Sequence, residues 1–204
     1  MEVECVNTRL LARSPLTVTI VKVDSLSLFW AQLKTSNEDF RELLEDLTRR
    51  MTRKGHMLRL LPDHIIVGEA VAIREGRGWQ RGVITDVDWG RSVERPCFEV
   101  YILEDRFRQM RWQGISCGLA YIAPFSGSSW SRKAKDLTKF LINQQEGHIS
   151  ILRTVRDEGA LVELKIRSGG NAREYHEINF KETLIKLGYA RHSDKLRTGS
   201  HPFI

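Results

Sequence analysis

Acidic side chains at the end of one alternating segment offer the clearest chemistry in this sequence. Glu104 and Asp105 follow Tyr101 closely, and Arg106 comes directly after them. A carboxylate accepts two parallel hydrogen bonds from a guanidinium, so these acids could bind an unmodified arginine, or pair with a lysine. The alternative is that both acids are turn residues in a solvated hairpin, where such side chains are common. The residues themselves leave both interpretations open.

A group of short strands between residues 68 and 111 must position these acids. Apolar and alternating runs predict strands at 70–73, 79–87, 97–103 and 107–111. The Gly-Arg-Gly sequence at 76–78 predicts a tight turn between the first two strands, because glycine adopts positive φ at little cost. Short strands at this spacing favour a small β-barrel over a parallel sheet.

Arginines are crowded into the same segment and suggest a second kind of chemistry. They are Arg74, Arg77, Arg81, Arg106, Arg108 and Arg111. Basic grooves with exposed aromatic rings bind single-stranded nucleic acid, so these side chains could line an RNA track. The formal net charge of +6 permits such a contact without requiring it. A mixed, solvated surface is the favoured explanation, since 32 basic residues are set against 26 acidic ones.

A long amphipathic helix is predicted over 35–54. Thr35 and Glu38 have the spacing of a capping box, in which the two side chains bond to free backbone N–H groups. One apolar stripe is formed by Phe40, Leu43, Leu44, Leu47 and Met51. The first turn is acidic and the last turn is basic, which complements the helix dipole.

The barrel segment resembles a Tudor domain. Trp79-Gln-Arg-Gly82 stands where that family has W-Y-R-A, and Val100-Tyr-Ile-Leu-Glu-Asp-Arg106 stands where it has V-x-Y-x-D-Y-G-N. In the family, four aromatic side chains and an asparagine enclose a methylated arginine, because ring faces attract a delocalised cation. Trp79 itself is expected to belong to the core.

Most of that cage is missing at the matching positions. The aromatic positions correspond to Arg74, Gln80, Tyr101 and Glu104, and the asparagine position corresponds to Arg106. Tyr101 alone is aromatic, and the two arginines would repel a guanidinium. The resemblance therefore implies a degenerate cage that binds arginine through ion pairs and backbone contacts. The candidate peptide-binding residues are Tyr101, Glu104, Asp105, Gln80, Arg74 and Arg106.

The order of elements along the chain resembles an extended Tudor module. There a Tudor β-barrel is inserted into a staphylococcal-nuclease-like (SN-like) β-barrel of the OB type, and a linker helix joins them. The implied fold class is mainly β with helices (α+β). The predicted boundaries are 16–54 and 149–190 for the two parts of the SN-like domain, 65–123 for the Tudor barrel, and 130–144 for the linker helix. Residues 1–15 and 191–204 are expected to be flexible termini.

Local patterns outside the barrel support this order. Strands are predicted at 16–23, 26–33, 149–155 and 161–166, and an irregular segment is predicted at 112–124. A last helix is expected to begin after Asn179, with Glu182 three residues further on.

Several classes of function are excluded by what the sequence lacks. No window approaches the roughly 18 apolar residues of a membrane span, and no signal peptide is visible, so a soluble cytoplasmic protein without membrane contact is expected. The three cysteines have neither metal-ligand nor disulfide spacing. Phosphate-binding loops and nucleophile motifs are missing as well. We therefore expect no enzyme activity, no metal and no cofactor.

The resemblance implies a specific partner. Extended Tudor modules dock the disordered, arginine-rich N-terminal tails of PIWI-clade Argonautes, and so scaffold piRNA-pathway gene silencing in perinuclear germline granules. This chain resembles the subclass with degenerate cages, which accepts unmethylated tails. A groove between the two barrels would hold an extended peptide. Two alternatives remain open: a single-stranded RNA-binding module, and a structural or self-associating module whose pocket has decayed.

Overall fold

The computed structural model of the protein describes residues 3–11, 15–34, 37–84, 87, 99–155, 159–168 and 176–196. The helices are α1 (Thr8–Leu11), α2 (Asn37–Lys54), α3 (Arg132–Ile142) and α4 (Phe180–Lys186). The strands are β1 (Leu16–Ser25), β2 (Leu28–Leu33), β3 (Ala70–Glu75), β4 (Gly78–Val83), β5 (Val100–Ile102), β6 (Gly114–Leu119), β7 (Ile122–Pro124), β8 (Glu146–Val155), β9 (Gly159–Ser168), β10 (His176–Asn179) and β11 (Ala190–His192). Strands with a few helices are the fold class that the sequence predicts.

The chain divides into two compact units. The first comprises Met1–Glu4 and Ser36–Trp112, and the second comprises Cys5–Thr35 and Gln113–Ile204. The larger segment of the first unit, Ser36–Trp112, is therefore inserted in the sequence of the second unit.

The first unit contains a three-stranded antiparallel sheet with the order β4-β3-β5. Leu58 to Leu60 extends the sheet, because Arg59 forms a bridge with Tyr101 of β5. The predicted turn between β3 and β4 is present: Glu75 pairs with Gly78, and Gly76 has a φ of 58°. A first loop residue with positive φ is typical of the two-residue hairpin turns that match strand twist.

Helix α2 covers one face of this sheet. Leu47 and Met51 from its apolar stripe are buried in one cluster with Trp79 and Tyr101. The helix therefore buries its stripe within the first unit, whereas the predicted boundaries place residues 16–54 together in the SN-like domain. The predicted capping residue Thr35 lies outside the described residues.

The second unit contains a closed barrel. Its sheet has the order β10-β9-β6-β2-β1-β8, and β8 also pairs with β9, so that β1, β2, β6, β9 and β8 form a ring. Five strands are typical of an OB-type barrel. Phe29, Ile149 and Leu164 are fully buried in its core. Helix α3 places Ala134 and Ile142 in the same core.

Three sequence-based expectations are wrong in this part of the chain. Residues 112–124 are not irregular, because β6 pairs with both β2 and β9, and β7 pairs with β11. These strands belong to the second unit, so the first unit ends before residue 123. Residues 107–111 form no strand, because Asp105–Phe107 is a 3-10 turn followed by bends.

The described parts of both termini are held in place, contrary to the prediction of flexibility. Val3 is buried in the core of the first unit, and the Thr8 hydroxyl donates to the Gly159 carbonyl at 3.2 Å. At the other end, β11 pairs with β7 along 190–192. Backbone pairing and burial at these positions outweigh the polar composition that suggested fraying.

Candidate functional site

The Glu104 carboxylate binds a guanidinium from within the chain. Arg50, near the end of α2, donates from Nε to Oε2 at 2.7 Å and from Nη2 to Oε1, which is a bidentate pair. The side chains of Arg50 and Glu104 are 28% and 27% exposed, so water reaches both. The chemistry expected of Glu104 is thus present, but its partner is a residue that the sequence did not single out.

Other cations surround the same carboxylate. The hydrogen bond from Arg50 lowers the pKa of Glu104, partial burial opposes this shift, and the charges of Arg106 and Lys54 add to it. In return, the bond to Glu104 raises the pKa of Arg50. The pair is therefore held in its fully charged form across the neutral range.

Tyr101 is a core residue rather than an exposed ring. It is 9% exposed, and its ring packs edge-on against Trp79 with centroids 4.8 Å apart. Its hydroxyl donates to Glu99 at 2.6 Å, which, together with burial, raises the pKa of the phenol. Glu99 is also paired with Arg59 at 2.8 Å. The ring face that a cage would need is therefore covered by protein, while Trp79 is in the core as expected.

The remaining predicted residues lie on two different elements. Asp105 and Arg106 follow Glu104 on the 3-10 turn, whereas Arg74 and Gln80 lie on the β3–β4 hairpin. Asp105 is well exposed and lies 3.8 Å from Arg108. Arg106 reaches Asp46 of α2 at 3.3 Å. Arg74 is exposed, and its charge acts on the Tyr101 phenol.

Arg81 is the most enclosed of the six arginines proposed for an RNA track. Its guanidinium donates to the carbonyls of Phe107, Met110 and Arg111 at 2.9, 2.6 and 3.2 Å. The guanidinium carbon also lies 5.0 Å from the Trp112 ring centroid. Burial lowers the pKa of Arg81. This residue organises the loop that carries the 3-10 turn and is closed to any ligand.

Three further arginines of that set have partners inside the first unit. Arg106 pairs with Asp46, Arg108 donates to the carbonyls of Leu103 and Ala70, and Arg111 pairs with Glu4. Arg74 and Arg77 are exposed and make no ion pair in the part of the chain that the structure describes. The continuous basic track that the sequence suggested is therefore absent among these six residues.

Sequence reasoning missed Arg50 and the role of Arg81 because both depend on distant contacts. Arg50 follows the buried Leu47 by three positions, which places it beside the apolar stripe; this was the available signal.

Among the described residues, no helix is long and apolar enough to cross a membrane. Within that same part of the chain, no cluster of three or more His, Cys, Asp or Glu side chains could hold a metal.

The three-stranded sheet of β3, β4 and β5 and the turn after β5 are the elements of a Tudor-type module. The Tudor domain family model matches residues 12–121, and the chain belongs to this family. It is 26% identical to human Tudor domain-containing protein 6 over 188 residues, which is 84% of this chain and 8% of that protein. It is 29% identical to mouse RING finger protein 17 over 107 residues, which is 51% of this chain and 6% of that protein. The chain thus spans less than a tenth of either relative.

Solved structures show that the fold is that of an extended Tudor domain, as expected. One match is extended Tudor domain TD3 of mouse TDRD1, with a TM-score of 0.70 at 15% identity, over 88% of this chain and 93% of that chain. That domain is in complex with a MILI peptide containing dimethylarginine. Another match is a variant of the Drosophila melanogaster Papi extended Tudor domain, with a TM-score of 0.70 at 16% identity, over 88% of this chain and 99% of that chain. That variant is in complex with an unmethylated Piwi N-terminal peptide.

Proposed function

We propose that this module is a non-catalytic adaptor that binds an extended, arginine-rich peptide without requiring arginine methylation. The partner is the N-terminal tail of a PIWI-clade Argonaute, and the role is scaffolding in piRNA-pathway gene silencing. Extended Tudor domains of the same fold in mouse and fly are in complex with MILI and Piwi peptides, which supports this class of ligand. Perinuclear germline granules are the proposed location.

The bidentate pair at Glu104 is the observation that carries the proposal. It shows that this carboxylate can present both oxygens to a planar guanidinium. The enclosed ring of Tyr101, in contrast, offers no face to a methylated cation. Methylation keeps the charge of arginine but blocks bidentate hydrogen bonding. A site built on a carboxylate is therefore expected to favour the unmodified side chain, which is what a degenerate cage implies.

The experiment compares three ligands by calorimetry: one Argonaute tail peptide unmodified, the same peptide symmetrically dimethylated, and a short single-stranded RNA. The unmodified peptide is expected to bind at least as tightly as the dimethylated one. Binding of the dimethylated peptide alone would overturn methylation independence. Failure of both peptides would overturn the adaptor role.

Single-stranded RNA binding is the second candidate, and the exposed Arg74 and Arg77 on the β3–β4 hairpin favour it. RNA binding should weaken steeply with salt, with a log–log slope of several units if many phosphates are contacted. If only Arg74 and Arg77 contact phosphates, the expected slope of log affinity against log salt concentration is shallower, at about two. If neither the peptide nor RNA binds, the remaining alternative is a self-associating module. Sedimentation of the free protein would then show whether it forms oligomers.

A further inference from the structure

We propose that Arg50 is an internal occupant of the arginine site, and that a ligand arginine reaches Glu104 by displacing it. This inference rests on the proposed function and names the residue that limits its affinity. The Arg50–Glu104 pair has the same bidentate geometry that a peptide arginine would adopt. One carboxylate cannot hold two guanidinium groups in this way at once.

Displacement of Arg50 leaves the helix in place. Helix α2 is held by Leu47 and Met51, which are buried in the core of the first unit and make no use of the ion pair. Both partners of the pair are about one-quarter exposed, so an incoming side chain can approach without opening that core. Arg50 therefore can leave Glu104 by rotation of its own side chain.

The other cations near Glu104 are poorer occupants. Arg106 lies 3.9 Å from Oε2 through a single nitrogen, and it also has Asp46 as a partner at 3.3 Å. Lys54 acts on Glu104 through its charge alone. Arg50 is thus the side chain whose removal frees the carboxylate for a planar ligand.

The expected change in peptide affinity follows from the competition between Arg50 and the ligand arginine for Glu104. A ligand that binds only the vacated site has its apparent affinity reduced by the fraction of molecules in which the site is open. A partly exposed ion pair shifts such an equilibrium by up to about fivefold. Loss of Arg50 is therefore expected to tighten binding of an unmodified arginine peptide by about two- to fivefold.

Two substitutions with the same charge change test this inference. Arg50→Gln removes the occupant, and Arg49→Gln removes a neighbouring charge that pairs with Asp46 at 3.3 Å on the same helix. Calorimetry with the unmodified tail peptide should show tighter binding to Arg50→Gln than to Arg49→Gln. Arg50→Lys, which keeps the charge without the bidentate fork, should fall between wild type and Arg50→Gln.

A second probe does not depend on the tail. Ethylguanidinium should raise the melting temperature of Arg50→Gln, and it should have no such effect on the double variant Arg50→Gln/Glu104→Gln. Equal tail affinity of the Arg50 and Arg49 variants, or no specific effect of ethylguanidinium, would overturn the internal-occupant role. Tail binding by wild type with these results would leave the adaptor function standing. If no variant binds the tail, the adaptor function is removed, and the ethylguanidinium result alone decides the internal-occupant role.

Discussion

The guanidinium carbon of Arg81 lies 5.0 Å from the centre of the Trp112 ring, inside the first unit. With three backbone carbonyls as acceptors, this cation is bound as a ligand would be bound, but by its own chain. The Arg50–Glu104 pair repeats the pattern at the surface. Among the arginines that are bound by their own chain, Arg81 is thus enclosed, whereas Arg50 is in an accessible position.

Replacing Arg81 by lysine should destabilise the protein. A lysine cannot reach three carbonyls in the fixed fork of a guanidinium, and the carbonyls left behind are partly buried. We expect a loss of about 2–4 kcal/mol in the free energy of unfolding, measured by urea denaturation. Arg77→Lys at the exposed hairpin tip is the control and should stay within about 0.5 kcal/mol of wild type. A loss below 1 kcal/mol for Arg81→Lys would contradict this account of the loop.

Tyr101 should make stability depend on alkaline pH. Its folded-state pKa is raised, first by the hydrogen bond to Glu99, so its contribution is fully present below the unfolded pKa of about 10. That contribution is lost as pH rises through the folded pKa. Wild type should therefore lose more stability than Tyr101→Phe between about pH 9 and 11, measured by chemical denaturation at each pH. Parallel curves for the two proteins would mean that the phenol has no coupling to folding.

Glu104 should make stability depend on acidic pH, so that stability falls as the pH falls, whereas the contribution of Tyr101 falls as the pH rises. Its folded-state pKa is lowered, first by Arg50, so its contribution is present above the unfolded pKa of about 4.3. The contribution disappears as pH falls through the lower folded value. The difference in thermal stability between wild type and Glu104→Gln should thus be present at pH 7 and should shrink as the pH falls below about 4.3. The difference at neutral pH should be modest, because the pair is partly exposed.

Gly147 should tolerate no side chain in the barrel of the second unit. An added Cβ would lie 2.5 Å from the Lys165 carbonyl oxygen and 3.4 Å from a Leu164 methyl group. Gly147→Ala should cost about 1–3 kcal/mol or more, since backbone atoms must move. Gly114→Ala is the matched control, because nothing lies within 4 Å of its Cβ position. Equal denaturation midpoints for the two variants would refute the close approach.

Local patterns predicted much of the fold. The hairpin at Gly76, the stripe of α2 and the cap at Asn179, whose side chain accepts from the Glu182 N–H at 3.4 Å, all depend on residues close in sequence. Such patterns identify an element and its apolar face. They do not identify which element covers that face, and this is why the unit to which α2 belongs was wrongly assigned.

The site was harder to predict for the same reason. Alternation separates Tyr101 from Ile102, but it does not show that Tyr101 is the buried one and that Ile102 is 42% exposed. The sequence singled out Glu104 as a carboxylate suited to arginine, and its role in binding a ligand stays a prediction. Its partner Arg50 is 54 positions away in the sequence, and no local pattern links the two residues.

The direct test of the central claim is calorimetric titration of an unmodified arginine-rich tail into wild type and Glu104→Lys. Glu45→Lys serves as a charge-matched control, because Glu45 lies on α2 and pairs with Arg41 at 3.6 Å. Circular dichroism must show that both variants are folded. We expect Glu104→Lys to weaken binding at least several-fold more than Glu45→Lys does, because a paired carboxylate becomes a repulsive charge. Equal affinities for the two variants would contradict arginine recognition by Glu104.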